Sequence, residues 1–162
     1  MPYRVYRSNT NNKGLLLPKW GERFMDLADH VAGWSKDPRT QVGAVVADGK
    51  HRPSLGYNGF PPGIRDLSSR LKDYDMKHKL TLHAESNAIH NSGHPVAGHD
   101  LYVTYPPCIR CTVEIIRAKI RSVTCLRGTD EKMEKHGADI ELSLSLFAEA
   151  NIPFSIVEKV ED

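Results

Sequence analysis

Three side chains that favour the same borderline-soft metal sit in two separated parts of this chain: His83 in Thr81-Leu82-His83-Ala84-Glu85, and Cys108 and Cys111 at the end of Leu101–Cys111. Whatever the fold, those two stretches must meet if the ligands are to act together. One histidine and a Cys-x-x-Cys pair give three ligands, which suits a tetrahedral zinc ion whose fourth position stays open. Open coordination marks a catalytic site rather than a structural one. Glu85 follows His83 at a spacing that lets a carboxylate work as general acid and base beside the ion without ligating it.

His-x-Glu followed by Pro-Cys-x-x-Cys is the signature of zinc nucleobase deaminases, and His83, Glu85, Pro107, Cys108 and Cys111 fill every place in it. A Cys-x-x-Cys alone also fits a redox dithiol or half of a zinc ribbon. A ribbon needs a second cysteine pair, and only Cys125 remains. A redox pair would leave His83 and Glu85 without a task. In the deaminase reading Glu85 takes a proton from water, passes it to a ring nitrogen of the base and later protonates the leaving amine.

Composition narrows the setting. A chain of 162 residues supports one domain with a real core, so residues 1–162 are expected to form a single unit with residues 1–14 as an N-terminal extension. A net charge of +2 is too slight for a duplex-binding surface, so no nucleic acid partner is expected. Leu15-Leu16-Leu17 is too short for a signal core or a membrane span, and two of the three cysteines are committed to metal. A soluble, cytoplasmic protein without membrane partner or disulfide is expected. Cys125, within Val123-Thr124-Cys125-Leu126, reads as a buried inert thiol.

Hydrophobic periodicity gives alternating elements. Trp20, Phe24, Leu27, Ala28, Val31 and Trp34 form the apolar face of a helix from Pro18 to about Ser35. Val42–Ala47 reads as a buried strand turned at Asp48-Gly49, and Pro53–Gly56 as an edge strand tolerant of proline. Gly56–Gly63 reads as a loop, and Ile64–Lys79, with its alternating charges, as a solvated loop or irregular helix. Thr81 is expected to cap a helix over His83–His90; then come a strand over Leu101–Thr104, a helix from Cys108, a strand over Ser122–Leu126, a helix over Asp139–Ala150 and a strand over Pro153–Val157. Two strand-helix-strand crossovers after a hairpin predict an α/β fold: one five-stranded mixed sheet with helices on both faces. Both ligand stretches then open helices, where the N-terminal partial charge favours a thiolate at Cys108.

Between Met25 and Val123 the chain resembles a deoxycytidylate (dCMP) deaminase of the cytidine deaminase superfamily. The resemblance is carried by Ser35-Lys36-Asp37-Pro38-Arg39-Thr40-Gln41-Val42-Gly43-Ala44, Gly56-Tyr57-Asn58-Gly59-Phe60-Pro61-Pro62-Gly63, His83–Ile89 and Leu101–Cys111. It implies a cytidine deaminase-like three-layer α/β/α sandwich and hydrolysis of dCMP to dUMP and ammonia. It further implies that Asn58 bonds the sugar, Val42 packs on the pyrimidine, the Ala84 backbone contacts O2 of the base and the carbonyl near Tyr105 accepts from the exocyclic amine. Ser35 and Lys36 are its candidates for the 5′-phosphate. By the same resemblance the chain is a homo-oligomer, favouring a hexamer, activated by dCTP and inhibited by dTTP. Mg2+ would accompany the triphosphate at an effector site around Gly56, Tyr57, Gly59, Phe60 and Gly63. A tRNA adenosine deaminase shares the metal motif but must grip an RNA loop through charge and stacking, which the weak net charge disfavours. Free-cytidine deaminases more often have cysteine where this chain has His83. A zinc-stabilised scaffold subunit without activity would lack the glutamate that stands here as Glu85.

Overall fold

Alternation along the strands decides the layers. In the computed structural model, which describes residues 5–8 and 17–160, the strands are β1 (Val5–Ser8), β2 (Gly43–Asp48), β3 (His51–Tyr57), β4 (Asp100–Val103), β5 (Ser122–Leu126) and β6 (Phe154–Val160). Ala44 and Val46 of β2, Leu101 and Val103 of β4, and Val123 and Cys125 of β5 fall on one side and share one core cluster. Val45 and Ala47, one residue out of phase, fall on the other. Both faces of these strands are buried, which a period of two requires when helices cover both sides.

The helices are α1 (Lys19–Ala32), α2 (Ser68–Lys72), α3 (Tyr74–Leu80), α4 (Ala84–Asn91), α5 (Ile109–Arg117), α6 (Asp130–Lys135) and α7 (Gly137–Glu149). Helix α1 covers one face, setting Phe24, Met25 and Ala28 against Val45, Ala47, Leu126 and Val157. Helices α4, α5 and α7 cover the other through Ala84, Ala88, Cys111, Ile115 and Phe147. This is the three-layer α/β/α sandwich. Each large side chain so buried contributes about 1.5–3 kcal/mol.

Sheet order is β1-β6-β5-β4-β2-β3. The β2–β3 hairpin and the β2–β4 pair are antiparallel, while β4–β5 and β5–β6 are parallel across their helical crossovers. The five expected strands are therefore all present in one mixed sheet. A sixth is added: β1, inside the segment expected to be an extension, pairs antiparallel with β6 at the sheet's end. Leu15 and Leu16 lie outside the described residues.

Several local expectations are corrected. Helix α1 ends at Ala32 with Gly33 as its C-cap, so Trp34 leaves the helical register and is 49% exposed, its ring edge-on to Tyr57 and His30. Trp20 is also exposed. The buried stripe instead runs through Gly21, Phe24, Met25, Ala28, Val31 and Ala32. Ile64–Lys79, expected as a solvated loop or irregular helix, holds two short helices, α2 and most of α3, and the loop expected from Gly56 begins later because Gly56 and Tyr57 belong to β3. Thr81 caps the C-terminus of α3, its hydroxyl donating to Lys77 O; His83 is the N-cap of α4. Helix α6, with Thr129 as its N-cap, has no counterpart in the expected elements.

Two glycines fit the helices to the sheet. A Cβ on Gly43 would stand 1.9 Å from Ala28 O in α1, and one on Gly56 would stand 2.2 Å from Ala84 O and 2.3 Å from Ala88 N in α4. Helix α4 is also tied to β3 by side chains. The Ser54 hydroxyl donates to Ala88 O, and Asn87 and Asn91, one turn apart, donate their amides to Tyr57 O and Leu55 O of that terminal strand. No helix among the described residues is long and apolar enough to cross a membrane.

Candidate active site

The loop after β4 and the packing of α4 on β3 bring the N-termini of α5 and α4 together. His83 is the N-cap of α4 and Cys108 the N-cap of α5. His83 Nδ1 lies 3.3 Å from Cys108 Sγ and 3.3 Å from Cys111 Sγ. All three ligand atoms fall within 4.8 Å of one another, and His83, Cys108 and Cys111 are the group among the described residues able to hold a metal ion in this way. A tetrahedral zinc with ordinary Zn–N and Zn–S bonds needs about 3.5 Å between the nitrogen and each sulfur. The donor set and its spacing therefore fit zinc. No carboxylate belongs to the group.

Glu85 stands in the first turn of α4, 5% exposed. Burial pushes its carboxyl above the usual range, opposed chiefly by hydrogen bonding and by the nearby His83. A carboxyl raised in this way exchanges protons more readily near neutral pH than an exposed one. Cys108 moves in the other direction. A hydrogen bond from the Cys111 thiol, with His83 and the Cys111 N–H adding to it against burial, brings Cys108 down to about 4. The same contact and its own burial push Cys111 up. Of the two thiols Cys108 is therefore the more acidic.

The loops that follow α1 and β3 form one hydrogen-bonded unit. Asn58 is buried; its side-chain oxygen accepts from Val42 N and its amide donates to Thr40 O. Ser35, also buried, gives its hydroxyl proton to Asn58 O and accepts from Asp37 N. Asp37 accepts from the N–H groups of Arg39 and Thr40 and from Lys77 Nζ at 3.0 Å. Lys77 and Asp37 are only 6% and 11% exposed, so α3 anchors this loop with an ion pair largely out of water. Thr104, just after β4, closes the unit, its hydroxyl accepting from Gly43 N while its own N–H donates to Gly43 O.

The expected site residues divide as follows. His83, Cys108, Cys111 and Glu85 are brought together. Val42 and Asn58 clamp each other, and Ala84 presents a first-turn N–H of α4 that has no helical partner. Tyr105 lies directly before the cysteine loop, its ring so close over Gly128 that a Cβ there would stand 2.5 Å from it. Ser35 faces inward with its hydroxyl engaged, whereas Lys36 is exposed and pairs with Asp66 at 3.0 Å. Of the effector candidates, Gly56 is buried beneath α4, which closes it to any ligand; Tyr57 and Gly63 are exposed, and Gly59 and Phe60 are half-buried. Gly59 bridges Leu82, next to His83, by a pair of backbone hydrogen bonds. Sequence reasoning missed Lys77 as an anchor. Its one signal was Asp37, an acid in a motif of backbone turns that needs a cation from elsewhere.

The family model described as the cytidine and deoxycytidylate deaminase zinc-binding region matches residues 18–127. An uncharacterised deaminase encoded in the luxG 3′ region of Aliivibrio fischeri is 38% identical over 137 residues, covering 85% of this chain and 92% of that protein. Human deoxycytidylate deaminase is 38% identical over 112 residues, covering 65% of this chain and 63% of its own length. The chain thus spans between about half and three fifths of the length of the deoxycytidylate deaminases it matches. The dCMP deaminase of cyanophage S-TIM5, solved with dCMP and dUMP, has the same fold: TM-score 0.67 at 21% identity, covering 88% of this chain and 99% of that one. With its ligand group, its buried glutamate and a family match over both, this chain belongs to the cytidine and deoxycytidylate deaminase family.

Proposed function

We propose that this protein hydrolyses dCMP to dUMP and ammonia with one zinc ion held by His83, Cys108 and Cys111. The observation that carries the reading is a buried carboxyl, Glu85, beside three ligands and not one of them. Bound zinc would supply an activated water near neutral pH. Glu85 would take one proton from the water that adds to the amine-bearing carbon and deliver it to the adjacent ring nitrogen; the remaining proton of the added hydroxyl, passed through Glu85, would go to the amine as the C–N bond breaks, leaving the dUMP carbonyl and ammonia. Val42 packs on the pyrimidine, the backbone at Ala84 contacts its O2, Asn58 bonds the sugar, and the backbone carbonyl near Tyr105 accepts from the exocyclic amine. For the 5′-phosphate, Lys36 is the candidate reachable from solvent.

The test is ammonia release from dCMP, cytidine and dCTP by zinc-loaded protein, with Glu85→Gln alongside. The variant keeps one zinc per chain and loses kcat by about 10²–10⁴-fold; kcat near wild type would remove Glu85 from the proton path. Equal kcat/KM on cytidine and dCMP would remove phosphate recognition. Regulation by dCTP with Mg2+ and by dTTP, in a homo-oligomeric and preferably hexameric assembly, belongs to the same proposal. The Gly59–Leu82 bridge supports it, since a ligand on that loop would pull on the backbone leading into His83. Rates with each triphosphate and light scattering of the assembly test it.

A further inference from the structure

Two buried hydroxyls behind the cysteine loop belong to neither the ligand set nor the loop unit around Asn58. Thr112 is 0% and Ser143 is 2% exposed. Thr112 Oγ1 lies 2.9 Å from Cys108 O and 3.0 Å from Ser143 Oγ, and Ser143 Oγ lies 3.3 Å from Pro107 O. Three contacts share two hydroxyl protons. Cys108 O already accepts the helical N–H of Thr112 at 2.8 Å, whereas buried Pro107 O receives its donor from Ser143. The assignment that leaves no buried carbonyl without a proton sends Ser143 O–H to Pro107 O, with Thr112 O–H shared between Ser143 Oγ and Cys108 O. Pro107 O belongs to the peptide that leads into Cys108, so a donor fixed on that oxygen restrains the backbone from which the Cys108 side chain projects.

We infer that Ser143, held by the Thr112 hydroxyl and donating to Pro107 O, is a positioning residue for the metal centre. It lies in α7, beyond the residues 18–127 that the family match covers. Helix α7 does not need this hydroxyl to stay seated, because Ile140 and Phe147 of the same helix are buried in the core. What the hydroxyl adds is a hinge-stop on the Pro107–Cys108 peptide. This inference rests on the zinc reading given above.

Its experiment measures metal and not only turnover. Wild type, Ser143→Ala, Thr112→Val and Thr112→Ser are stripped and titrated with zinc against a chromophoric chelator, and the Co2+-loaded proteins are compared by their thiolate charge-transfer bands. Thermal unfolding of the metal-free forms runs in parallel. Ser143→Ala and Thr112→Val are expected to weaken zinc by about 10-fold or more, with altered Co2+ bands and metal-free melting close to wild type. Thr112→Ser, which keeps the hydroxyl, restores affinity. Wild-type affinity in Ser143→Ala overturns the inference, as does a loss of affinity that Thr112→Ser shares with Thr112→Val. If Ser143→Ala does not fold, that last comparison still decides. Wild type that takes up no zinc would instead refute the zinc reading itself.

Discussion

Gly56→Ala is the sharpest test of how the fold holds the site. The new Cβ would meet Ala84 O at 2.2 Å and Ala88 N at 2.3 Å, both backbone atoms of α4, while ordinary contact begins near 3.4 Å. No flexible side chain can yield, so the helix must retreat by about 1 Å. Overpacking of this kind costs about 3 kcal/mol, and in a chain of this size each kcal/mol moves Tm by roughly 2–4 °C, a loss of about 6–12 °C. The same retreat carries His83 and Glu85 away from Cys108 and Cys111, and a displacement near 1 Å at a catalytic group costs about 10²-fold in rate. Thermal unfolding at fixed zinc and ammonia release from dCMP measure the two effects. Gly49→Ala is the control: at φ +59 it meets the left-handed penalty of about 1–2 kcal/mol with no atom within 4 Å, so stability falls and rate does not. A Gly56→Ala enzyme with wild-type Tm and rate would refute the argument, and one with low Tm but full rate would show that the seat of α4 does not govern the site.

Two further outcomes follow from charges in the same region. Lys77→Met should destabilise the metal-free protein by about 3 kcal/mol at neutral pH, since it leaves a nearly buried carboxylate without its cation; an unchanged urea midpoint would contradict this. For Asp37, burial raises the carboxyl but the N–H groups of Arg39 and Thr40 and the Lys77 ammonium outweigh it, so the folded value lies below the ordinary 3.8. Its stabilising effect is then complete above that pH and lost as pH falls through the folded value, and in Lys77→Met the loss should begin at higher pH. In metal-free native protein at pH 6, iodoacetamide should label Cys108, already a thiolate, while Cys125, fully buried with its thiol pushed well up, reacts only after unfolding. Labelling of Cys125 at the rate of Cys108 would count against that placement.

The candidate ligand group and Glu85 were legible because chemistry restricts which residues can stand there and because both stretches open helices. The crossovers and the edge position of β3 were legible from element lengths and from Pro53. Other parts depend on partners far along the chain. Lys77 in an alternating-charge segment looks like any solvated lysine, and only the fold brings Asp37 to it. Strand β1 is a strand by virtue of β6, at the other end of the sequence. Ser35 is a phosphate candidate by family resemblance alone, and only the fold shows its hydroxyl engaged inside the loop. Gly56 read as a flexible loop residue when its missing Cβ serves close packing.

Asn87 and Asn91 have a consequence for how copies of this chain can associate. By donating to Tyr57 O and Leu55 O they engage carbonyls along the outer rim of β3, where another strand would otherwise add. Joining rim to rim at that end would first require breaking both amide bonds. Any assembly of this enzyme is thereby steered toward contacts between side-chain surfaces and away from an open-ended, fibre-like extension of the sheet.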